Sequence, residues 1–459
     1  MLKRCFFGLI FISIISSCAS TYYQKSISFQ RELQRNNPLK ALEEVNKSSF
    51  LKKKRNELLA LLEKGKIEHL NKQYKASNLL FNKADLLIED YRKNYGKELL
   101  SYLINPNIRP YFPQVFEKML IYYYKALNFF ALDEYEKALV EAKRINLKLQ
   151  EINDTSPKDK KNRYHSDAFS LILEGLIYES IGAINDAFIS YRNALELYQK
   201  HKGTYYGTII PEQLKKDLIR TAHIMGFVEE QTQYESLFGI NHKEINLYKS
   251  QLVLFWENGL GPIKEQTYYT FTLLPSQQVG MFTLFNQELN LAIPFPLARE
   301  EERKGFFPHI EIFNVAFPKY KKRYRTYDKA SIFLEGKEYD FEKVQDINAL
   351  AKALWKENVL EEITQIALRM ATKKLSEHLL RKQNEALGFI LGLFNAVSES
   401  ADTRNWQTLP AEISYLRIPL KKGENSIKIS FYKENYKIYE KQIRVIGDGR
   451  LKVHSLHTF

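Results

Sequence analysis

Six positions between residues 171 and 194 hold Leu171, Gly175, Tyr178, Ala187, Tyr191 and Ala194, with Gly182 between two stretches of helical period. Few folds ask for this spacing. Gly175 and Ala187 lack bulk where two helix backbones approach, and Tyr191 is expected to fill the gap to the next hairpin. A small residue in the middle lets the chain reverse. The pattern is that of the 34-residue tetratricopeptide hairpin. It departs from the template at Glu174, where leucine is usual, and at Gln199, where proline would close the unit.

The same frame recurs upstream at Leu61, Gly65, Ser77, Phe81 and Ala84, and again at Tyr122, Ala126, Phe129 and Ala138. A fainter copy runs from Tyr22 past Asn37 and Pro38 to Ala41 and Val45. The step from Ala41 to Ser77 is 36 residues, but the next two steps are 61 and 49. Two stretches, 92–118 and 153–167, account for the excess, and their Pro106, Pro110, Pro113 and Pro157 mark them as loops. The frame predicts four stacked hairpins ending near Gly239. Such stacks curve, with the first helix of each pair on the concave side. The lining residues are then Leu59, Leu62, Tyr123, Leu127, Phe130, Phe169, Ile172 and Leu176. An apolar groove of that size does not stand empty in water. The expectation is a groove filled by the chain itself, the 27-residue excess at 92–118 being nearest, or by a helix or extended peptide of a protein partner.

After Tyr248 the period changes from helix to strand. Residues 251–274, QLVLFWENGLGPIKEQTYYTFTLL, read as a hairpin turning at Glu257-Asn258-Gly259 and Gly261-Pro262. Further strands are expected at 289–293, 309–317, 330–334, 413–420, 426–432, 437–445 and 451–454, with a second hairpin closed by residues 420–425. Residues 344–397 read as a helical insertion. Within it the apolar run 386–397, with Gly388 and Gly392, is too short to span a bilayer and reads as a helix packed on the sheet. The fold class that follows is α+β and multidomain. Tetratricopeptide-like repeats occupy 18–240, and an antiparallel β domain of sandwich type with a helical insertion occupies 247–459.

The N-terminus carries Lys3 and Arg4, an apolar stretch to Ile15, two serines and then Cys18. That is the order of a bacterial lipoprotein signal, in which residues 1–17 are removed and Cys18 takes diacylglycerol on its sulfur. The other cysteine, Cys5, leaves with the signal, so no disulfide or thiolate metal site is expected in the mature chain. Lipidation then makes the membrane a partner. The net charge of +14 favours anionic partners, and for an exported protein nucleic acid is not among them. The densest basic run is KYKKRYR at 319–325, five cations with two tyrosines, which suits a charged loop or a contact with lipid headgroups near the anchor. Ala19 after the cysteine carries no sign of inner-membrane retention, which favours the outer membrane, on its periplasmic or surface face.

Chemistry is hard to find. The nine histidines form no HExxH or paired-ligand pattern, and His454 and His457 point to opposite faces of a strand, so no metal and no cofactor are expected. There is no GxSxG elbow, phosphate loop or dinucleotide fingerprint. The one suggestive polar cluster is ADTRNWQTLP, where Asp402, Arg404 and Trp406 precede a strand: a locked loop, or the wall of a pocket. A cell-wall glycan or peptide hydrolase with a carboxylate site in the β domain, at Asp402 or Glu412, is the competing class to a binding module.

Three blocks, RPYFPQVFEKMLIYYYKALNFFALDEYEKALVEAKR, FWENGLGPIKEQ and ADTRNWQTLPAEISYLRIPL, resemble a family of largely uncharacterised bacterial lipoproteins with tetratricopeptide repeats and a β-rich C-terminal part. The resemblance implies this same architecture and a role in envelope assembly. It carries no catalytic residues.

Overall fold

The structure, a computed structural model, describes residues 21–100, 109–155, 164–245, 250–276, 281–296, 311–383 and 400–459. Cys18 and residues 386–397 lie outside them. The helical half consists of α1 (Tyr22–Gln34), α2 (Pro38–Lys47), α3 (Glu57–Leu70), α4 (Tyr74–Leu100), α5 (Val115–Ala131), α6 (Tyr135–Thr155), α7 (Ala168–Ser180), α8 (Ile184–Lys200), α9 (Glu212–Met225) and α10 (Val228–Phe238). These pair into five hairpins among the described residues, one more than the repeat frame predicts. The fifth, α9 with α10, follows a short ribbon of β1 (Thr204–Tyr205) and β2 (Thr208–Ile209). It escapes the pattern because α10 is mostly polar and buries only Tyr234.

The hairpins reverse by one device. A single residue in the left-handed backbone region follows the first helix of each pair: Asn36, Lys72, Asp133, Gly182 and Gly226. The repeat glycines act within each hairpin. A Cβ on Gly175 would lie 2.3 Å from the Tyr191 ring, and one on Gly65 would lie 2.7 Å from Phe81. The aromatic therefore covers the glycine of its own hairpin as well as facing the next, where Phe81 stacks on Tyr124. The stretch at 92–118 is a loop only in part. No proline precedes Pro106 in this stretch, so α4 continues through Gly96 to Leu100, and charged pairs tie it to α6: Arg92 to Glu151 at 2.6 Å and Lys148 to Glu89 at 3.2 Å. Residues 153–155 likewise belong to α6.

The β half contains β3 (Gln251–Leu260), β4 (Ile263–Pro275), β5 (Met281–Asn286), β6 (Leu291–Pro296), β7 (Glu311–Lys321), β8 (Lys329–Leu334), β9 (Lys337–Asp340), β10 (Glu342–Asp346), α11 (Ile347–Gln383), β11 (Pro410–Pro419), β12 (Gly423–Lys433), β13 (Tyr436–Gly447) and β14 (Leu451–Thr458). They form three four-stranded sheets, ordered β10-β11-β3-β14, β13-β12-β8-β9 and β6-β5-β4-β7. Neither expected hairpin exists. At Gly261-Pro262 the chain leaves the first sheet for the third, and at residues 420–425 it leaves the first for the second, so turn chemistry marks corners between sheets here. One pairing also breaks the antiparallel expectation, because β14 runs parallel to β3.

The first two sheets pack face to face as a sandwich, with Leu254, Trp256, Ile418, Ile429 and Phe431 between them. The third sheet packs instead on α11 through Phe271, Leu284, Phe317, Ile363 and Ala367. Val344, expected in the helix, belongs to β10.

Strand alternation then decides how the halves join. Successive residues of β3 face opposite sides, and while Leu252 and Leu254 enter the sandwich, Val253 and Phe255 share one core with the helices. All ten residues of β3 are buried. Charges are buried at the same junction: Lys66 of α3 pairs with Glu257 of β3, both essentially inaccessible. Arg417 of β11 reaches Asp217 at 2.6 Å and Glu179 at 3.0 Å, and Arg220 meets the same two carboxylates at 3.1 and 2.6 Å. No helix among the described residues is long and apolar enough to cross a membrane.

Candidate functional site

The concave face of the repeats is occupied by the chain itself. Leu59, Leu62, Tyr123, Leu127, Phe130, Phe169, Ile172 and Leu176 are each at most 5 % exposed. Their cover is β3, β14 and a strap of residues 400–409 leading into β11. The groove is therefore core in this state, with Leu127 and Phe130 at its edge also reaching a cleft beside β14. The strap, over 300 residues away in sequence, takes the place expected for the 92–118 stretch. Of that stretch, Tyr111 contributes a buried ring.

The strap lies in the groove much as an extended peptide would. Trp406 is 1 % exposed, with ring centroids 5.7 Å from Phe81 and 5.8 Å from Tyr124. The backbone is held by two carboxylates of the helical face. Glu63 accepts the N–H of Gln407 at 3.0 Å and of Thr408 at 3.2 Å, and Glu117 accepts that of Trp406 at 2.7 Å. Tyr22 donates its hydroxyl to Glu63 at 2.8 Å, and Tyr111 donates to Glu117 at 2.8 Å. The Gln407 side chain accepts from Ser26 and Gln30, and its carbonyl accepts from Arg323 at 2.8 Å.

Burial sets the electrostatics of this seat. It pushes the Glu63 carboxyl up to about 7, against the hydrogen bonds from Thr408, Gln407 and Tyr22 that favour the charged form. Burial raises Glu117 in the same way, opposed chiefly by Lys264. For Asp402 burial alone would raise the carboxyl, but the Arg404 guanidinium reverses this and holds it well below the ordinary carboxylate value.

Asp402 and Arg404 come together as a lock, while Trp406 is buried separately against Phe81 and Tyr124. Arg404 grips both Asp402 oxygens at 2.8 and 2.7 Å and donates to Asn56 at 2.9 Å and to the Arg109 carbonyl. Arg109 adds a second pair to Asp402 at 3.2 Å. Glu412 sits apart on β11, where Asn258 donates to it at 3.1 Å. Sequence reasoning missed Glu63 and Glu117. Their signal is periodic: Glu63 lies four residues beyond Leu59, and Glu117, Tyr124 and Asn128 share a stripe beside Tyr123 and Leu127. Among the described residues no group of three His, Cys, Asp or Glu is placed to hold a metal ion.

No family model and no curated protein matches the chain. Among solved structures it is similar to the apo form of RapI, at 17% identity over 47% of this chain and 68% of that one, with a TM-score of 0.33. It is similar also to the TPR-like repeats of a putative kinesin light chain from Podospora anserina, at 11% identity over 47% and 91%, TM-score 0.31. A third is a Rap protein complexed with Competence and Sporulation Factor, at 14% identity over 47% and 52%, TM-score 0.29. Scores this low carry no argument about activity. The tetratricopeptide-like character of the first half rests on the hairpin geometry above.

Proposed function

We propose that this is a lipid-anchored protein of the bacterial envelope, held in the outer membrane through acylated Cys18 and acting as a rigid protein-binding scaffold. The observation that supports it most is how firmly the chain is fastened just after Cys18. Thr21, three residues after Cys18, caps α1, and the Tyr22 N–H is tied to Thr403 at 3.0 Å. That end of α1 lies among cations: Lys53 and Arg55 act on Lys25, and Lys321 of the basic run senses Tyr23. An anchored chain would bring these groups to anionic headgroups, each worth about 1 kcal/mol there.

With the concave groove filled, partners meet the convex side. Leu79 and Leu86 on α4 and Val140 and Leu147 on α6 are more than half exposed, on two helices cross-linked by the charged pairs described above. Labelled fatty acid fed to producing cells should enter the natural chain and not its Cys18→Ser variant; equal labelling of both overturns the anchor. Leu86→Asp with Leu147→Asp should reduce the crosslinked complexes recovered from cells while leaving the fold intact.

A further inference from the structure

A cleft of ≈ 730 Å³ lies where the turns after α3 and α5 face β13 and β14. Leu127, Phe130 and Tyr74 form part of its wall, its charged lining is almost all of one sign, Lys72, Lys441, Arg444 and Lys452 against Asp133 alone, and His454 and His457 also line it. Those charges are unevenly compensated. Lys452 meets Asp448 at 2.9 Å, Arg444 approaches Glu424 at 3.6 Å, and Asp133 takes the Tyr135 hydroxyl at 2.6 Å. Among the described residues neither Lys72 nor Lys441 meets a carboxylate in an ion pair, and they repel each other.

The repulsion reaches the other groups too. Burial lowers Lys441 first and Lys72 lowers it further. His454 is lowered by burial and then by Lys452, and His457 well below its ordinary value by burial and then by Lys66 and Lys441. Both imidazoles are neutral at pH 7 and each keeps one N–H to donate. Lys72 also has a backbone φ of 60°. The equivalent turn positions hold Asn36, Asp133 and Gly182, types that accept the left-handed region readily. Lysine adds nothing to the turn, so what it brings to this position is its charge.

We propose that this cleft binds a compact, multiply charged phosphate group, with Lys72 and Lys441 as its principal ligands. Lysine acts on phosphate as a point charge, and ligand clefts of this size are ordinary for small molecules. Placing an anion between the two lysines removes the like-charge repulsion that the free protein carries. The proposal does not depend on the anchor at Cys18.

The test is calorimetric titration of the full chain with inorganic pyrophosphate and, separately, with soluble dihexanoyl phosphatidic acid. Wild type should bind at least one of the two, and the double variant Lys72→Gln, Lys441→Gln should bind that probe at least tenfold more weakly. Lys352→Gln, at an exposed site on α11, should bind as wild type does. The double variant should melt no lower than wild type, because it loses repulsion. Binding of pyrophosphate alone identifies a soluble phosphate, and binding of the lipid alone identifies a headgroup. Failure of both probes, or equal binding by the double variant, overturns the site.

Discussion

On the side of the β3 sheet turned toward β12, Leu252, Leu254 and Trp256 meet Ile427, Ile429 and Phe431, a cluster of apolar side chains. On the side turned toward the helices, Val253 and Phe255 share the contact with Glu257 and Arg417, whose partners Lys66, Asp217 and Glu179 come from three different helices. Apolar packing is proportional to area and indifferent to direction. Buried ion pairs are costly to desolvate and add little net stability, but breaking one leaves a stranded charge. The comparison suggests a division: the sandwich face supplies cohesion, and the helical face fixes which helix lies against which strand. That is a hypothesis about register, and it can be broken in three ways.

The largest effect is expected from Arg417→Ala, which leaves Asp217 and Glu179 to share Arg220. Urea unfolding should show a loss of about 3–5 kcal/mol. Combining Arg417→Leu with Asp217→Leu, which leaves the Arg220 pair with Glu179 balanced, should lose clearly less than Arg417→Ala. Equal losses would remove the argument for charge balance.

Next comes the pH dependence of the strap. The unfolded Glu63 carboxyl releases its proton near 4.5 and the folded one near 7. Between those values the folded state holds more protons, so stability falls as pH rises through the window and is level above it. The gap corresponds to at most about 3 kcal/mol. Glu63→Gln should lack this part of the slope when unfolding is followed from pH 4.5 to 8, and superimposable profiles would show that Glu63 does not titrate there. The smallest effect is Ile429→Val on the apolar face, which should cost about 1 kcal/mol with an unchanged urea dependence.

Much of the helical half was legible because its spacing is set by sterics that the chain cannot avoid. Gly65 opposite Phe81 and Gly175 opposite Tyr191 can be read from sequence, since no larger residue fits beneath the ring. The last hairpin was not legible, because α10 buries a single side chain and has no stripe to see. In the β half the strands were visible by alternation, but their partners were not: Gly261-Pro262 looks the same whether the chain returns along its neighbour or crosses to another sheet. The Asp402 and Arg404 pair was visible as a lock, with Trp406 beside it. Its keyhole was not, since Glu63 and Glu117 are ordinary helix residues until a distant strap lies on them.

If the proposed anchor at Cys18 holds, the tie between the Tyr22 N–H and Thr403 fixes the geometry at a bilayer. From Cys18 to Tyr22 the backbone spans at most about 14 Å when fully drawn out. A molecule acylated at Cys18 and fastened at Tyr22 has almost no leash, so it cannot swing or roll freely over the lipid. It would stand in one fixed orientation, with the first hairpin as its foot and the remaining repeats projecting at a constant angle into the space beyond.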